Sequence, residues 1–141
     1  MKVRDVMTKR PHYLDSDVTI QEVVQTMRDN NTGFEPLVNN DKVVGVVTDR
    51  DIALRAFSEG KNPNDKASSI ATERVLYTFE NDDVTDVVQN MVDQQVQRLL
   101  VLNNDSNKDL TGIITLSDIA DHCDDADLAK KLVSAARHYQ K

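Results

Sequence analysis

The chain has 141 residues, of which 17 are basic and 24 acidic, for a net charge of −7; that balance argues against bulk binding to a phosphodiester backbone. No apolar run approaches the roughly 20 residues that span a bilayer, and the opening MKVRDVMTKR lacks the apolar stretch of a secretory signal, so the protein is expected to be soluble and cytoplasmic. A single cysteine, Cys123, excludes an internal disulfide and a cysteine-rich metal cage, and the absence of Trp predicts a core of thin aliphatic layers.

In chain order, an extended piece HYL (12–14) precedes TIQEVVQTM (19–27), where Ile20, Val23, Val24 and Met27 fall at i, i+3, i+4 and i+7. That spacing predicts an amphipathic helix, opened by a capping box at Thr19 and Glu22. The runs PLV and KVVGVV, split by Asn and Asp, predict two strands joined by a tight turn, with a second helix starting near Asp49. The segment FSEGKNPNDKA (57–67) is rich in turn formers and is expected to be a linker.

The series then repeats. A leading piece VLYTF (75–79) precedes DVTDVVQNM (83–91), with Val84, Val87, Val88 and Met91 at the same helical spacing and Asp83 as N-cap. LLVL and GII predict two more strands, and a helix starts near Leu116. The copies register at an offset of 64 through the first helix and 67 at the later motif, because the polar stretch SNKDLT carries three extra residues. An insertion at a turn leaves the flanking strands in register. Each copy is a β-α-β-β-α unit of about 50–60 residues, at the margin of independent folding. The expected organisation is residues 1–60, a linker 61–67, a second repeat 68–126, and a C-terminal helix 127–141 with Leu128, Leu132 and Ala135 or Ala136 on one side.

The doubled motif is GVVTDRD (45–51) and GIITLSD (112–118). Gly45 lets another group approach the backbone closely. Thr48 ends the strand with its hydroxyl available, the amides of the first helical turn are expected to be open to an anionic oxygen, and Asp51, one turn on, suits the two vicinal hydroxyls of a ribose. Thr115 and Asp118 repeat the arrangement. The same residues also fit a purely structural reading, Thr as N-cap and Asp as a first-turn acid.

The element order, the doubled GhhTxxD motif, the PLV run and the opening RDVMT resemble a tandem pair of cystathionine-β-synthase (CBS) domains, a Bateman module, from about Val3 to His122. VQRLLVL and GIITLSDI are similar to a repeat in the regulatory γ subunit of AMP-activated protein kinase. The resemblance implies a mixed α+β fold, with two β-α-β-β-α repeats packed about a pseudo-two-fold axis and a C-terminal helix. It also implies a homodimer, and adenosine derivatives bound in clefts between repeats, with the motif's Thr and Asp holding phosphate and ribose. Carried onto this chain, a first site takes Thr48, Arg50, Asp51, Thr72, Val75, Leu76, Val96 and Arg98, the last meeting phosphate. A second takes Thr8, Pro11, Tyr13, Thr115, Ser117 and Asp118; Phe34 stands where an arginine matching Arg98 would be, which implies a less phosphorylated ligand or none. Glu35 stands where the family has an apolar residue, and Leu100 replaces a common proline matched by Pro36. Lys9, Arg10 and Arg74 are further cations near the opening strands, read as solvated charges.

The function expected is a non-catalytic sensor. Its candidate ligands are AMP, ADP, ATP, NAD and S-adenosylmethionine, with or without magnesium, and its output passes to an effector protein the sequence does not name. A nucleotide-processing enzyme would need a base beside the phosphates; Asp49, Asp51 and Asp118 lack a visible partner for that work. A structural dimerisation module with empty pockets is the other alternative. His122, Cys123, Asp124 and Asp125 are read as a helix end rather than a metal site, because consecutive residues point apart. His12 and His138 lack partners at catalytic or zinc spacing, and Met7, Met27 and Met91 are core filler.

Overall fold

The structure is a computed structural model describing residues 1–9 and 11–137; Arg10 and His138 lie outside the described residues. It is a mixed α+β fold with two sheets, and the chain divides into two compact units. One comprises Met1–Pro11 with Leu76–Lys141, the other His12–Val75. The leading segment of each repeat is therefore built into the unit of the other repeat.

In the unit of His12–Val75, β2 (Leu14–Asp15) runs parallel to β3 (Phe34–Asn39), which pairs antiparallel with β4 (Lys42–Thr48). The turn places Asn40 and Asp41 at φ 51° and 65°, as a tight hairpin of this kind requires. Helix α2 (Ile20–Asn30) carries the capping box its sequence predicts: Thr19 Oγ1 accepts from the Glu22 amide at 3.2 Å, and Glu22 Oε2 accepts from the Thr19 amide at 2.9 Å. Its apolar stripe buries Ile20, Val23 and Met27 with Leu37, Val47, Ala56, Ala67 and Ile70. After β4 come α3 (Asp49–Asp51) and, without a break, a π-helical stretch Ile52–Phe57. The expected second helix is thus present, wound wider than an α-helix over most of its length.

The other unit repeats this plan and adds to it. Here β5 (Tyr77–Phe79) runs parallel to β6 (Arg98–Leu102), which pairs antiparallel with β7 (Leu110–Thr115). The far edge of β7 is covered by β1 (Thr8–Lys9), antiparallel, with Thr8 opposite Ile113. Upstream of β1, α1 (Val3–Val6) is anchored by Val3 and Arg4 amides donating to the Asp82 and Glu80 carbonyls, each at 3.0 Å. Helix α4 (Val84–Gln94) starts at Asp83, whose side chain accepts from the Thr85 amide at 2.9 Å; that bond holds the exposed Asp83 carboxyl below its ordinary range. Helix α5 (Leu116–Asp121) follows β7, and α6 (Ala126–Ala136) packs on α4 and α5 with Leu128 and Ala135 in the core. The two repeats share smaller details: a register shift in β3 at Leu37/Val38 and in β6 at Val101/Leu102, and helix C-caps Asn31 and Gln95 in the left-handed region.

Glu35 departs from the aliphatic pattern. It is 1% exposed in β3; Oε1 accepts from Thr32 Oγ1, and Oε2 has no hydrogen-bond partner among the described residues. The repeat-equivalent position holds Leu99, fully buried. An uncompensated buried carboxylate oxygen is costly, whereas an apolar replacement of similar volume removes the cost. Glu35→Leu is therefore expected to stabilise the protein by about 1–3 kcal/mol, read as a higher midpoint in urea at unchanged slope. A lower midpoint would show that the carboxylate contributes to the folded state.

Candidate functional site

Each motif closes a capping box at the strand–helix junction. Thr48 Oγ1 accepts from the Asp51 amide at 3.1 Å, and Asp51 Oδ2 accepts from the Thr48 amide at 3.0 Å. Thr115 and Asp118 repeat both bonds at 3.1 and 3.0 Å. The structural reading of these residues is thus real, and it leaves capacity unused, because an ionised carboxylate can accept about four hydrogen bonds.

Both carboxylates also meet a threonine from a leading segment. The Thr72 hydroxyl lies 3.4 Å from each oxygen of Asp51, and the Thr8 hydroxyl lies 3.4 Å from Asp118 Oδ1. Long bonds of this kind are weak, so these hydroxyls and carboxylate edges can be redirected to a ligand at small cost. All four carboxylate and leader residues are exposed or half-buried.

The motif glycines explain why the leaders sit there. A Cβ on Gly45 would lie 3.3 Å from both the Thr72 carbonyl and Ala71 Cβ; one on Gly112 would lie 2.8 Å from the Thr8 carbonyl and 2.7 Å from Met7 Sδ. The group that approaches these glycines is the backbone of the leading segment. In the first motif the contact is fixed by reciprocal bonds between Val46 and Thr72 at 3.0 and 2.8 Å. Gly therefore acts through its neighbour, by seating the threonine that faces the motif Asp.

The expectation that the first helical turn offers open amides is corrected at the first motif. The Asp49 amide donates to the Gly33 carbonyl at 2.9 Å, the Arg50 amide to Asp49 Oδ1 at 2.9 Å, and the Asp51 amide to Thr48 Oγ1. The Asp49 carboxylate occupies the place where an anionic oxygen would bind. At the second motif the equivalent residue is Leu116, whose amide donates to the Gln97 carbonyl at 3.1 Å. A carboxylate at this one position separates the motifs, and it was visible in the sequence as TDRD against TLSD.

The residues expected to share the first site divide between units. Thr48, Arg50, Asp51, Thr72 and Val75 lie in one unit, and Leu76, Val96 and Arg98 in the other. Of the second set, Thr8, Pro11, Thr115, Ser117 and Asp118 share a unit, while Tyr13, 54% exposed, lies in the other. Arg50 and Ser117 are exposed. Arg98 is exposed at the start of β6, directly across the ladder from Thr115, and Phe34 holds the matching place opposite Thr48. Arg98 and Arg74 both have interaction partners. His122 is the C-cap of α5, with Nδ1 2.9 Å from the Asp118 carbonyl oxygen.

A family model for the CBS domain matches the chain twice, over residues 3–57 and 67–125. The Bacillus subtilis protein YlbB is 35% identical over 121 residues, covering 84% of this chain and 80% of that one. Among solved structures, hypoxic response protein I with two coordinated zinc ions superposes with a TM-score of 0.77 at 29% identity, covering 87% of this chain and 99% of that one. The CBS domain pair of MJ0100 in complex with 5′-methylthioadenosine and S-adenosyl-L-methionine gives 0.76 at 27%, covering 86% and 94%. Among the described residues here, no three His, Cys, Asp or Glu side chains are gathered as a metal site would need.

Proposed function

The chain belongs to the CBS domain family, as a tandem pair, and on that premise we propose that it is a non-catalytic sensor of adenosine-containing ligands whose occupancy is passed to another chain. The observation that carries this reading is the duplicated box in which a Thr-capped Asp keeps acceptor capacity facing a leader threonine. Asp51 and Asp118 accept the ribose hydroxyls. Thr48 with Thr72 completes the polar rim at the first motif and Thr115 with Thr8 at the second, while Val75 in the one unit, and Leu76 and Val96 in the other, are the residues offered as apolar surface to adenine. Arg98 and Arg50 supply positive charge for a phosphate; Arg is suited to that because its planar fork meets two oxygens together. The complex of the MJ0100 pair with two adenosine derivatives supports the ligand class. The output follows from linkage: a ligand shifts the protein only by its difference in affinity for two states, and we place those states in a homodimer and its effector.

A thermal-shift series tests the reading, with AMP, ADP, ATP, NAD, S-adenosylmethionine and GTP each near 1 mM, with and without magnesium. A ligand at about 100 times its Kd adds about 2.7 kcal/mol, enough to raise Tm by several degrees. The expected result is a rise with one or more adenosine ligands and none with GTP. No rise with any of them would leave the boxes as helix caps and favour a structural dimerisation module.

A further inference from the structure

The two leading segments are seated by different means. Thr8 belongs to a two-residue ladder, with Thr8 opposite Ile113 and Lys9 opposite Gly112. Thr72 is held to its motif strand by an isolated bridge to Val46. Its fit against the motif glycine is also looser, with the nearest atoms 3.3 Å from a Cβ on Gly45 against 2.7 and 2.8 Å on Gly112. A segment with so short a pairing opens locally more readily than one in a ladder, so the direction of the Thr72 hydroxyl depends on what else fixes the backbone beside it.

Arg55 fixes it. Its Nη1 donates to the Ile70 carbonyl at 3.1 Å and to the Ala71 carbonyl at 3.0 Å, the two peptide groups immediately before Thr72. Glu59 and Glu73 border the same polar hollow as Arg55, yet this nitrogen is spent on neutral carbonyls. Bonds from a charged donor are about twice as strong as neutral ones. Asp51 and Arg55 lie four residues apart in one uninterrupted helical run. The element that presents the motif carboxylate therefore also grips the backbone that presents the threonine facing it.

The winding of that run sets the first repeat apart. Over Ile52–Phe57 it is π-helical, and five residues back the Ala53 carbonyl accepts from the Ser58 amide at 3.1 Å and the Ala56 carbonyl from the Lys61 amide at 2.9 Å. Such winding is rare and is found mostly at functional sites. In the second repeat, α5 ends at Asp121, and the position equivalent to Arg55 is His122, whose Nδ1 turns to the Asp118 carbonyl oxygen of its own helix. One repeat thus has a wider-wound helix that carries an arginine to its leading segment; the other has a short helix and a strand ladder.

We propose that Arg55 is the positioning residue of the first motif: by gripping the Ile70 and Ala71 carbonyls it keeps the Thr72 hydroxyl on Asp51, and the motif takes up an adenosine ligand only while that grip holds. The second motif needs no such residue, because the ladder of β1 with β7 does the same for Thr8. The inference rests on the reading of the Thr–Asp boxes as ligand sites, and adds a residue outside the boxes on which only one of them depends.

Each motif is tested alone by calorimetric titration, with S-adenosylmethionine and with AMP, of a D118A chain, which keeps the first box, and a D51A chain, which keeps the second. Arg55 is exposed and Gln is a good helix former, so R55Q leaves the fold intact, as an unchanged Tm checks. In the D118A chain R55Q is expected to weaken binding at least about 10-fold, the loss of one charge-assisted bond, and in the D51A chain to change it less than about two-fold. R55K should restore most of the affinity, because a single nitrogen makes both bonds and an ammonium is a point donor. Amide exchange without any nucleotide gives a second readout. The Val46 and Thr72 amides, which donate to each other's carbonyls, should exchange at least about 10-fold faster in R55Q, with those of β1 and β7 unchanged. Undiminished binding by D118A/R55Q, or an equal loss in both chains, overturns the proposal. No binding of either nucleotide by the wild type sinks the reading of the boxes and the role of Arg55 with it, whereas unchanged exchange in R55Q sinks the grip alone.

Discussion

Replacing Asp118 or Asp51 with Ala is expected to weaken adenosine-ligand binding by about 10–100-fold at the altered motif, because a hydrogen bond to a charged group contributes about 1.5–3 kcal/mol. The accompanying loss of stability is about 1 kcal/mol, the usual worth of a capping interaction. It is small because each variant keeps half of its box: the amide of residue 51 or 118 still donates to the Thr hydroxyl, and what is lost is the return bond to the Thr amide and the long, weak contact to Thr72 or Thr8. The two effects are separable. Isothermal titration reads affinity and urea unfolding reads stability, and an Ala variant that binds normally but unfolds early would make the Asp a cap alone. Thr72→Val and Thr8→Val should show a milder loss of binding at nearly wild-type stability, since their 3.4 Å contacts contribute little to the unliganded fold.

Gly112→Val is expected to have the largest effect on stability of any change at the motifs. The new side chain would meet the Thr8 carbonyl and Met7 at under 3 Å, and the carbonyl belongs to a paired strand that cannot move without giving up its ladder with Gly112 and Ile113. Overpacking of this kind costs about 1–3 kcal/mol, which in a chain of this length lowers Tm by about 5–10 °C. Displacement of β1 also moves Thr8 away from Asp118, so binding at the second motif should fall with it. Gly45→Val should be gentler, because its nearest neighbours stand at 3.3 Å and one of them is the methyl group of Ala71. Equal losses at the two positions would mean that the leading segments are seated by something other than these glycines.

Much of this was legible in the sequence because it is local and written twice. The spacing of Ile20, Val23, Val24 and Met27 against Val84, Val87, Val88 and Met91 gave both amphipathic helices, and the Thr19 capping box formed as its residues require. The offset change from 64 to 67 fell in the loop between β6 and β7, at the turn where it was placed. The crossing of the leading segments was not legible from periodicity. β1 is two residues long and the Val46 to Thr72 contact is an isolated bridge, so neither leaves a period-two pattern, and both depend on pairing across more than 20 residues of chain.

The Thr and Asp of each motif were legible as capping residues, and the bonds around them were legible only in part. The spacing of Thr48 and Asp51 fits a cap and a ligand site alike, and the bonds observed satisfy the first while leaving acceptors for the second. In the sequence Asp49 stands among the candidate bases; its carboxylate instead caps the Arg50 amide, a short-range competition between side chain and backbone typical of Asp in a first helical turn. The π-helical winding of Ile52–Phe57 has no signature in the apolar pattern, and it is over this stretch that Phe57 reaches the surface.

The most direct test of the central claim is calorimetric titration of the wild-type chain and of a D51A/D118A double variant with the adenosine ligand that raises Tm most, with GTP as control. The account predicts saturable binding of one or two ligands per chain to the wild type, no heat with GTP, and binding abolished in a double variant that still unfolds cooperatively. Undiminished binding by the double variant would contradict it, by placing the ligand away from both Thr–Asp boxes.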